Sequence, residues 1–154
     1  MKRLFIISII VLLIDLISKR LVLNLLIENQ SFEIIENFFS LTYVKNTGVA
    51  FSMIEGYVPL IVIVTVIILF MLFKYIKDGI NNSVELVSYG FIIGGAVGNL
   101  VDRIIMGYVV DFFDFNIFGY QAPIFNVADI FIVVGVLMLI IFGRNGDKYE
   151  VNSK

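Results

Sequence analysis

Between Tyr57 and Phe73 the chain carries no charged side chain, and almost every residue in that run is apolar. About 20 such residues in a helix cross a bilayer core, so the run predicts a membrane span over Tyr57–Ile76. Three further stretches have comparable length: Leu4–Ile27, Val84–Ile105 and Ile124–Phe142. The first and third carry charges and score lower on hydropathy. Over 154 residues the composition is 60% hydrophobic and the mean hydropathy is +1.00. A soluble domain of that size has too little interior to hide so much apolar surface, so the excess must face lipid.

Lys2 and Arg3 precede the first run as they would in a secretory signal peptide. However, Asp15, Lys19 and Arg20 interrupt the run and no small-x-small cleavage pattern follows, so it reads as a retained helix. The net charge of −2 says less than its placement. Lys2, Arg3, Lys74, Lys77, Arg144, Lys148 and Lys154 lie at the N-terminus, between the second and third runs, or in the C-terminal tail. The other two connections, 28–56 and 106–123, contain Lys45 as their one basic residue. By the positive-inside rule, both termini are cytoplasmic and those two connections face outward. Without cysteine, the outward connections must hold their shape by packing and hydrogen bonds.

The chain reads as one membrane domain over 1–142 with a polar cytoplasmic tail over 143–154 and no internal repeat. Residues 77–83 form a short polar turn. Ser31–Tyr43 mixes Phe, Ile, Thr and Tyr with Glu33 and Glu36, which predicts short strands on the membrane surface. Asn46-Thr47-Gly48 reads as a turn. In the third run Gly90, Gly94 and Gly98 recur every four residues with Gly95 and Ala96 beside them. That spacing lays a groove of small residues along one helix face and lets another helix approach closely. Packing accounts for these glycines without a direct catalytic role.

With no histidine and no cysteine, the usual nucleophile–base pairs and most zinc sites are closed to this chain, leaving carboxylates for acid–base chemistry. A carboxylate in or beside a membrane segment is costly and calls for an explanation. Asp111 follows the outward end of the third run. Asp129, six residues after Pro123, is expected about 9 Å into the fourth. Both therefore reach the same depth below the outer surface. Close carboxylates in a poorly solvated site do not ionise together, so one holds a proton while the other acts as a base. Asp114 is a weaker third candidate, further out and more easily solvated.

Around them stand further polar residues. Asn99 and Arg103 share a helix face, with Asp102 offset. Arg103 either pairs with Asp102 or another carboxylate, or holds a backbone segment or substrate carbonyl. Asp15 and Lys19, four apart, suit a neutralising pair along the first helix or a substrate contact. Asn46 and Asn126 suit turn closure as well as a site, with Asn126 expected one turn nearer the surface than Asp129.

Asp15-Leu16-Ile17-Ser18-Lys19, Asn46-Thr47-Gly48-Val49-Ala50-Phe51, the segment from Gly94 to Arg103, Val109-Val110-Asp111-Phe112 and Phe125-Asn126-Val127-Ala128-Asp129 together resemble the ordered motifs of the bacterial lipoprotein signal peptidases, signal peptidase II. The match covers nearly the whole chain, and five motifs in order on four runs are far more specific than one. The resemblance implies a helical membrane protein of four transmembrane helices with a small extracytoplasmic β-cradle over about 28–56 and a short surface helix. It implies an intramembrane aspartic endopeptidase of the bacterial cytoplasmic membrane, cutting diacylglyceryl-modified prolipoproteins just before the lipidated cysteine. The catalytic dyad falls on Asp111 and Asp129, and the supporting or substrate-binding positions on Asp15, Lys19, Asn46, Gly48, Asn99, Arg103 and Asn126. Lipidated prolipoprotein and membrane lipid are the expected partners, globomycin-type cyclic peptides the expected inhibitors, and a monomer the expected state. No metal, cofactor or nucleic acid is called for. Two departures stand out: Ile130 where many members carry a small residue, and Gln121-Ala122-Pro123 in place of a Trp-bearing stretch.

Two other classes compete on the residues alone. A proton or cation path through Asp15, Asp111 and Asp129 gives no reason for acids to gather near one face. A scaffold glued by buried acids would tolerate Asp→Asn wherever the hydrogen bonds survive.

Overall fold

The computed structural model describes residues 1–48, 56–77 and 79–143. Among these residues are four helices, α1 (Lys2–Leu25), α2 (Val58–Lys77), α3 (Ser83–Met106) and α4 (Val127–Phe142). Its strands are β1 (Ser31–Ile35), β2 (Phe39–Asn46), β3 (Val109–Ile117) and β4 (Tyr120–Gln121). The expected surface helix before the second span, the Val49-Ala50-Phe51 end of one motif, and 144–154 of the tail lie outside the described residues. Among the described residues two helices, α2 and α3, are long and apolar enough by length and composition to cross a membrane. Helix α1 is as long as α3 at 24 residues but carries Asp15, Lys19 and Arg20, and α4 is shorter, 16 mostly apolar residues or about 24 Å.

Glycines make α3 the central helix. A Cβ on Gly90 would stand 2.5 Å from the Ile7 side chain, and one on Gly94 would stand 2.6 Å from the Ser8 carbonyl oxygen. At Gly98 it would run into the Asp15 carboxylate. The four-residue glycine spacing is therefore the seam against α1, as the small-residue groove predicts. Gly95, turned to another face, lets the Ala128 carbonyl of α4 come equally close, and Gly135 of α4 faces the Ser88 carbonyl of α3. Helix α2 packs more loosely, its buried Leu69 and Ile76 meeting Leu4, Tyr89 and Ile93.

The start of α3 is set by Asn82, whose side chain accepts from the Glu85 N–H at 2.9 Å. The end is set by Gly107, left-handed at φ 79°, whose N–H returns to the Arg103 carbonyl. That stop turns the chain directly into β3, two residues on.

The strands form one antiparallel sheet in the order β1-β2-β3-β4. β1 and β2 occupy the segment where strands are expected. β3 and β4 were not anticipated in 106–123, although Val109–Ile117 is β-branched and aromatic throughout its apolar positions. Phe32, Leu41 and Phe113 stand in cross-strand register, as do Ser40 and Asp114 on the opposite face. The result is an aromatic face and a polar face. Val22 of α1 packs with Tyr43, Val110 and Phe112, fastening the sheet to one end of the bundle.

Helix α4 begins later than hydropathy predicts. Phe125 is extended, donating to and accepting from Phe113 of β3, so its backbone is committed to the sheet. Asn126 is the N-cap, and Asp129 is the third helical residue rather than a residue 9 Å inside. Both lie at the very end of the helix, the sheet end.

Candidate active site

The polar residues of α1, α3, β2, β3 and the α4 start converge where sheet meets bundle. Asn126 and Asp129 form a capping box: the Asn126 side-chain oxygen accepts from the Asp129 N–H at 3.1 Å, and the Asp129 carboxylate accepts from the Asn126 N–H at 3.2 Å. With its oxygen engaged, Asn126 must turn its NH2 the other way, where it donates to Asp111 Oδ1 at 2.6 Å.

The same logic orients the other two amides. Lys19 is donor-only, and its Nζ lies 2.8 Å from Asn99 Oδ1. The Asn99 NH2 is thereby directed to Asp129 Oδ1, also at 2.8 Å. The Asn46 oxygen accepts from the Gly48 N–H at 2.9 Å, and its NH2 donates to Asp111 Oδ2 at 2.8 Å. Each asparagine thus shows its oxygen to an obligate donor and its amide nitrogen to a carboxylate. Asn126 also donates to Asn99 Oδ1 at 3.1 Å, joining Asp111 and Asp129 into one network.

Behind this lies a closed charge cluster. Lys19, 2% exposed, is 2.8 Å from Asp15 and 2.9 Å from Asp102, both buried. Asp15 further accepts from the Ala128 N–H at 2.9 Å in the first turn of α4, and Asp102 from the Val110 N–H at 3.3 Å. The cluster therefore ties α1 to α3, to the α4 start and to the strand bearing Asp111. Asp102 pairs with Lys19 and not with its neighbour Arg103. Arg103 donates to the Gly48 carbonyl at 2.7 Å, holding the end of the β2 turn over the site. Of the two roles open to it, holding a backbone segment is the one the geometry shows.

Neither Asp111 nor Asp129 forms an ion pair among the described residues. Asp111, on β3, is buried, and burial pushes its carboxyl up to about 7; the charge of Asp129 adds to the rise, while the bonds from Asn46 and Asn126 and the charge of Lys19 oppose it. Both carboxylates line a cavity of about 610 Å³. Asn46, Asn99 and Arg103 complete its polar end, and Phe125, Ile130 and Val133 belong to its apolar wall. Ile130, Ala122 and Pro123, the departures noted above, all line this cavity. Gln121 does not. It bonds Asp114, which also accepts from Thr42 at 2.7 Å on the sheet's polar face. Asp15 and Lys19 likewise are not among the residues that line the cavity.

Comparison with known proteins gives a concordant picture. The family model for signal peptidase (SPase) II matches residues 7–143. A lipoprotein signal peptidase of Staphylococcus haemolyticus is 41% identical over 88% of this chain and 87% of its own length. That of Halothermothrix orenii is 43% identical over 90% and 92%. Among solved structures, a bacterial membrane enzyme determined by the in meso method at 2.3 Å resolution superposes with a TM-score of 0.85 at 35% identity, covering 100% of this chain and 94% of that one.

Proposed function

This chain belongs to the signal peptidase II family, membrane peptidases that process lipoprotein precursors, and on that premise we propose that it cuts by an aspartic mechanism with Asp111 and Asp129 as the pair. The observation that carries this reading is the amide-only coordination of two carboxylates on one cavity wall. Amide donors hold the two acids in place without forcing either to ionise, so the pair is free to share one proton near neutrality. A cation at bonding distance would have removed that freedom.

In this scheme the ionised carboxylate takes a proton from a water as its oxygen attacks the scissile carbonyl carbon. The protonated carboxyl donates to the carbonyl oxygen. Collapse of the tetrahedral intermediate breaks the C–N bond as a proton passes to the leaving amine. Asn99, Asn126 and Asn46 keep the acids oriented, and Arg103 holds the Gly48 segment that borders the cleft. Asp15 and Lys19 act one layer behind. The apolar wall around Ile130 and Val133 suits the aliphatic side chains or acyl chains of a diacylglyceryl-modified prolipoprotein, whose lipid would hold the bond before its lipidated cysteine at the depth of the pair. Globomycin-type cyclic peptides would compete for the same cleft.

The remaining features follow the charge placement. We place four spans in the bacterial cytoplasmic membrane, with both termini cytoplasmic, the sheet and site at the outer face, residues 1–142 as a single monomeric domain and 143–154 as a cytoplasmic tail.

The test is cleavage of a diacylglyceryl-modified prolipoprotein by the purified chain, followed by gel shift, with the product's mass fixing the bond cut. Asp111→Asn and Asp129→Asn, verified as folded, should each lower the rate by about a thousandfold or more. A folded variant that cuts at the wild-type rate would overturn the dyad.

A further inference from the structure

The turn between β3 and β4 breaks a local rule. Phe118 and Gly119 are its two central residues, both left-handed, at φ 52° and 86°. Asn-Gly is the usual occupant of such a hairpin turn, because a bulky side chain is strained in the left-handed region. Here the first position holds a phenylalanine, and its side chain is fully exposed. An aromatic ring gains nothing in water to offset that strain, so its placement points to a contact outside the chain.

Phe118 does not stand alone. Exposed Ile117 and Tyr120 flank it on the same hairpin. The β1–β2 turn lies beside it: the Asn116 N–H donates to the Phe38 carbonyl at 2.9 Å, and the half-exposed Phe38 ring meets Phe115 edge-on at 5.6 Å. A small cavity of about 480 Å³ is lined by both turns, so the two tips form one apolar knob. Exposed apolar surface continues from it along β1 through Ile35 and Phe32 to Ile27 and Leu25 at the end of α1, where it joins the lipid-facing surface of the helices. Acidic Glu33 and Glu36 flank the path, and no basic residue lies on either hairpin before Lys45.

We propose that the paired hairpin tips, led by Phe118, are a membrane anchor that inserts into the interfacial layer of the bilayer beside the helix bundle. Lipid is the occupant favoured by the continuity of this surface with the lipid-facing helices and by the aromatic character of the knob, since amphipathic and aromatic rings partition to the interface. With no basic residues on it, insertion is apolar and does not depend on anionic headgroups. The anchor would fix the angle of the sheet, and with it β3 and Asp111, relative to the membrane. This inference requires only that the protein resides in a membrane and stands apart from the aspartic mechanism.

The chain has no tryptophan, so Phe118→Trp supplies a single depth-sensitive probe. The full chain would be reconstituted in dioleoyl phosphatidylcholine vesicles, with and without lipids brominated at shallow acyl carbons. The expected result is blue-shifted emission relative to N-acetyltryptophanamide and loss of at least half the intensity to the brominated lipid, unchanged by salt. Ile67→Trp, on the exposed face of α2, marks full lipid contact. Tyr120→Trp serves the same purpose if Phe118→Trp does not fold, with retained prolipoprotein cleavage as the check on folding. Water-like, unquenched emission overturns the anchor. A blue shift without bromine quenching, or one that depends on protein concentration or on added prolipoprotein, also overturns it, and assigns the knob to a second copy or to the substrate.

Discussion

Two clusters of aspartates sit at the same end of this bundle and differ in one respect. Asp15 and Asp102 share a lysine; Asp111 and Asp129 share only asparagines. The first cluster gathers two carboxylates on one shared lysine, is turned away from the cavity, and ties four elements of the fold together. The second borders the cavity, is left without a cation, and includes a carboxyl that burial lifts to about 7. On the proposed mechanism, identical side chains are structural in one place and proton-exchanging in the other because of what faces them. Asn99 couples the two, since the lysine that closes the first cluster also orients the amide that bonds Asp129.

The comparison breaks most readily at Lys19. Lys19→Met would leave two buried carboxylates facing each other unpaired, a loss of about 3–5 kcal/mol. Thermal unfolding in detergent should fall sharply, and cleavage with it. Asp111→Asn should do the reverse, abolishing cleavage while leaving the unfolding temperature at pH 6 at or above that of wild type. If Lys19→Met unfolds like wild type, the closed cluster is not holding the fold.

The pH dependence of stability sharpens the same contrast. Asp111 titrates higher in the folded protein than in the unfolded chain, near 7 against the ordinary carboxyl value of 3.8. Its favourable contribution is therefore fully present below about pH 4 and is lost as pH rises through 7. Wild type should lose stability relative to Asp111→Asn between about pH 4 and 7, by at most about 4 kcal/mol, with the difference constant above that. Cleavage should decline as pH rises past the top of that window, where the pair becomes doubly ionised. A flat difference between the two proteins would contradict the raised carboxyl.

How much of this could be read from the residues depends on the range of the interaction. The Gly90–Gly94–Gly98 seam and the Asp15–Lys19 pair are legible because one helical turn brings their members together. The partner of Asp102 was not, since Lys19 belongs to another helix while Arg103 next door offers a plausible but wrong match. The depth of Asp129 was misjudged because hydropathy does not register where Ile124 and Phe125 stop being helical. The Asn126-x-x-Asp129 spacing carries that information as a capping box. The strand bearing Asp111 was likewise signalled by Val109, Val110, Phe112, Phe113 and Phe115 but masked by the interleaved acids. The convergence of Asn46, Asn99 and Asn126 from three elements is a tertiary fact that no local pattern encodes.

A milder perturbation tests whether the glycine seam carries the site. Gly94→Ala should push α1 from α3, because its Cβ would meet the Ser8 carbonyl oxygen and Val11 Cβ, both at 2.6 Å. Overpacking of this kind costs about 1–3 kcal/mol. About two helical turns on, the displacement should loosen Lys19 from Asp102 and Asn99, so kcat should fall more than KM rises. Loss of stability with unchanged kcat would mean that the seam packs the bundle without positioning the network.

The smallest effect is expected at Asp114, the third acid near the site. It lies on the same strand as Asp111, three residues on, and strand alternation carries it to the opposite face. There it bonds Thr42 and Gln121, neither of which borders the cavity. Asp114→Asn keeps an acceptor oxygen for Thr42 and should change both stability and cleavage by no more than about 0.5 kcal/mol, or roughly twofold in rate. Were Asp114→Asn as damaging as Asp111→Asn, proximity in the strand and not the amide-held geometry would be deciding which acids matter, and the distinction between the clusters would lose its physical basis.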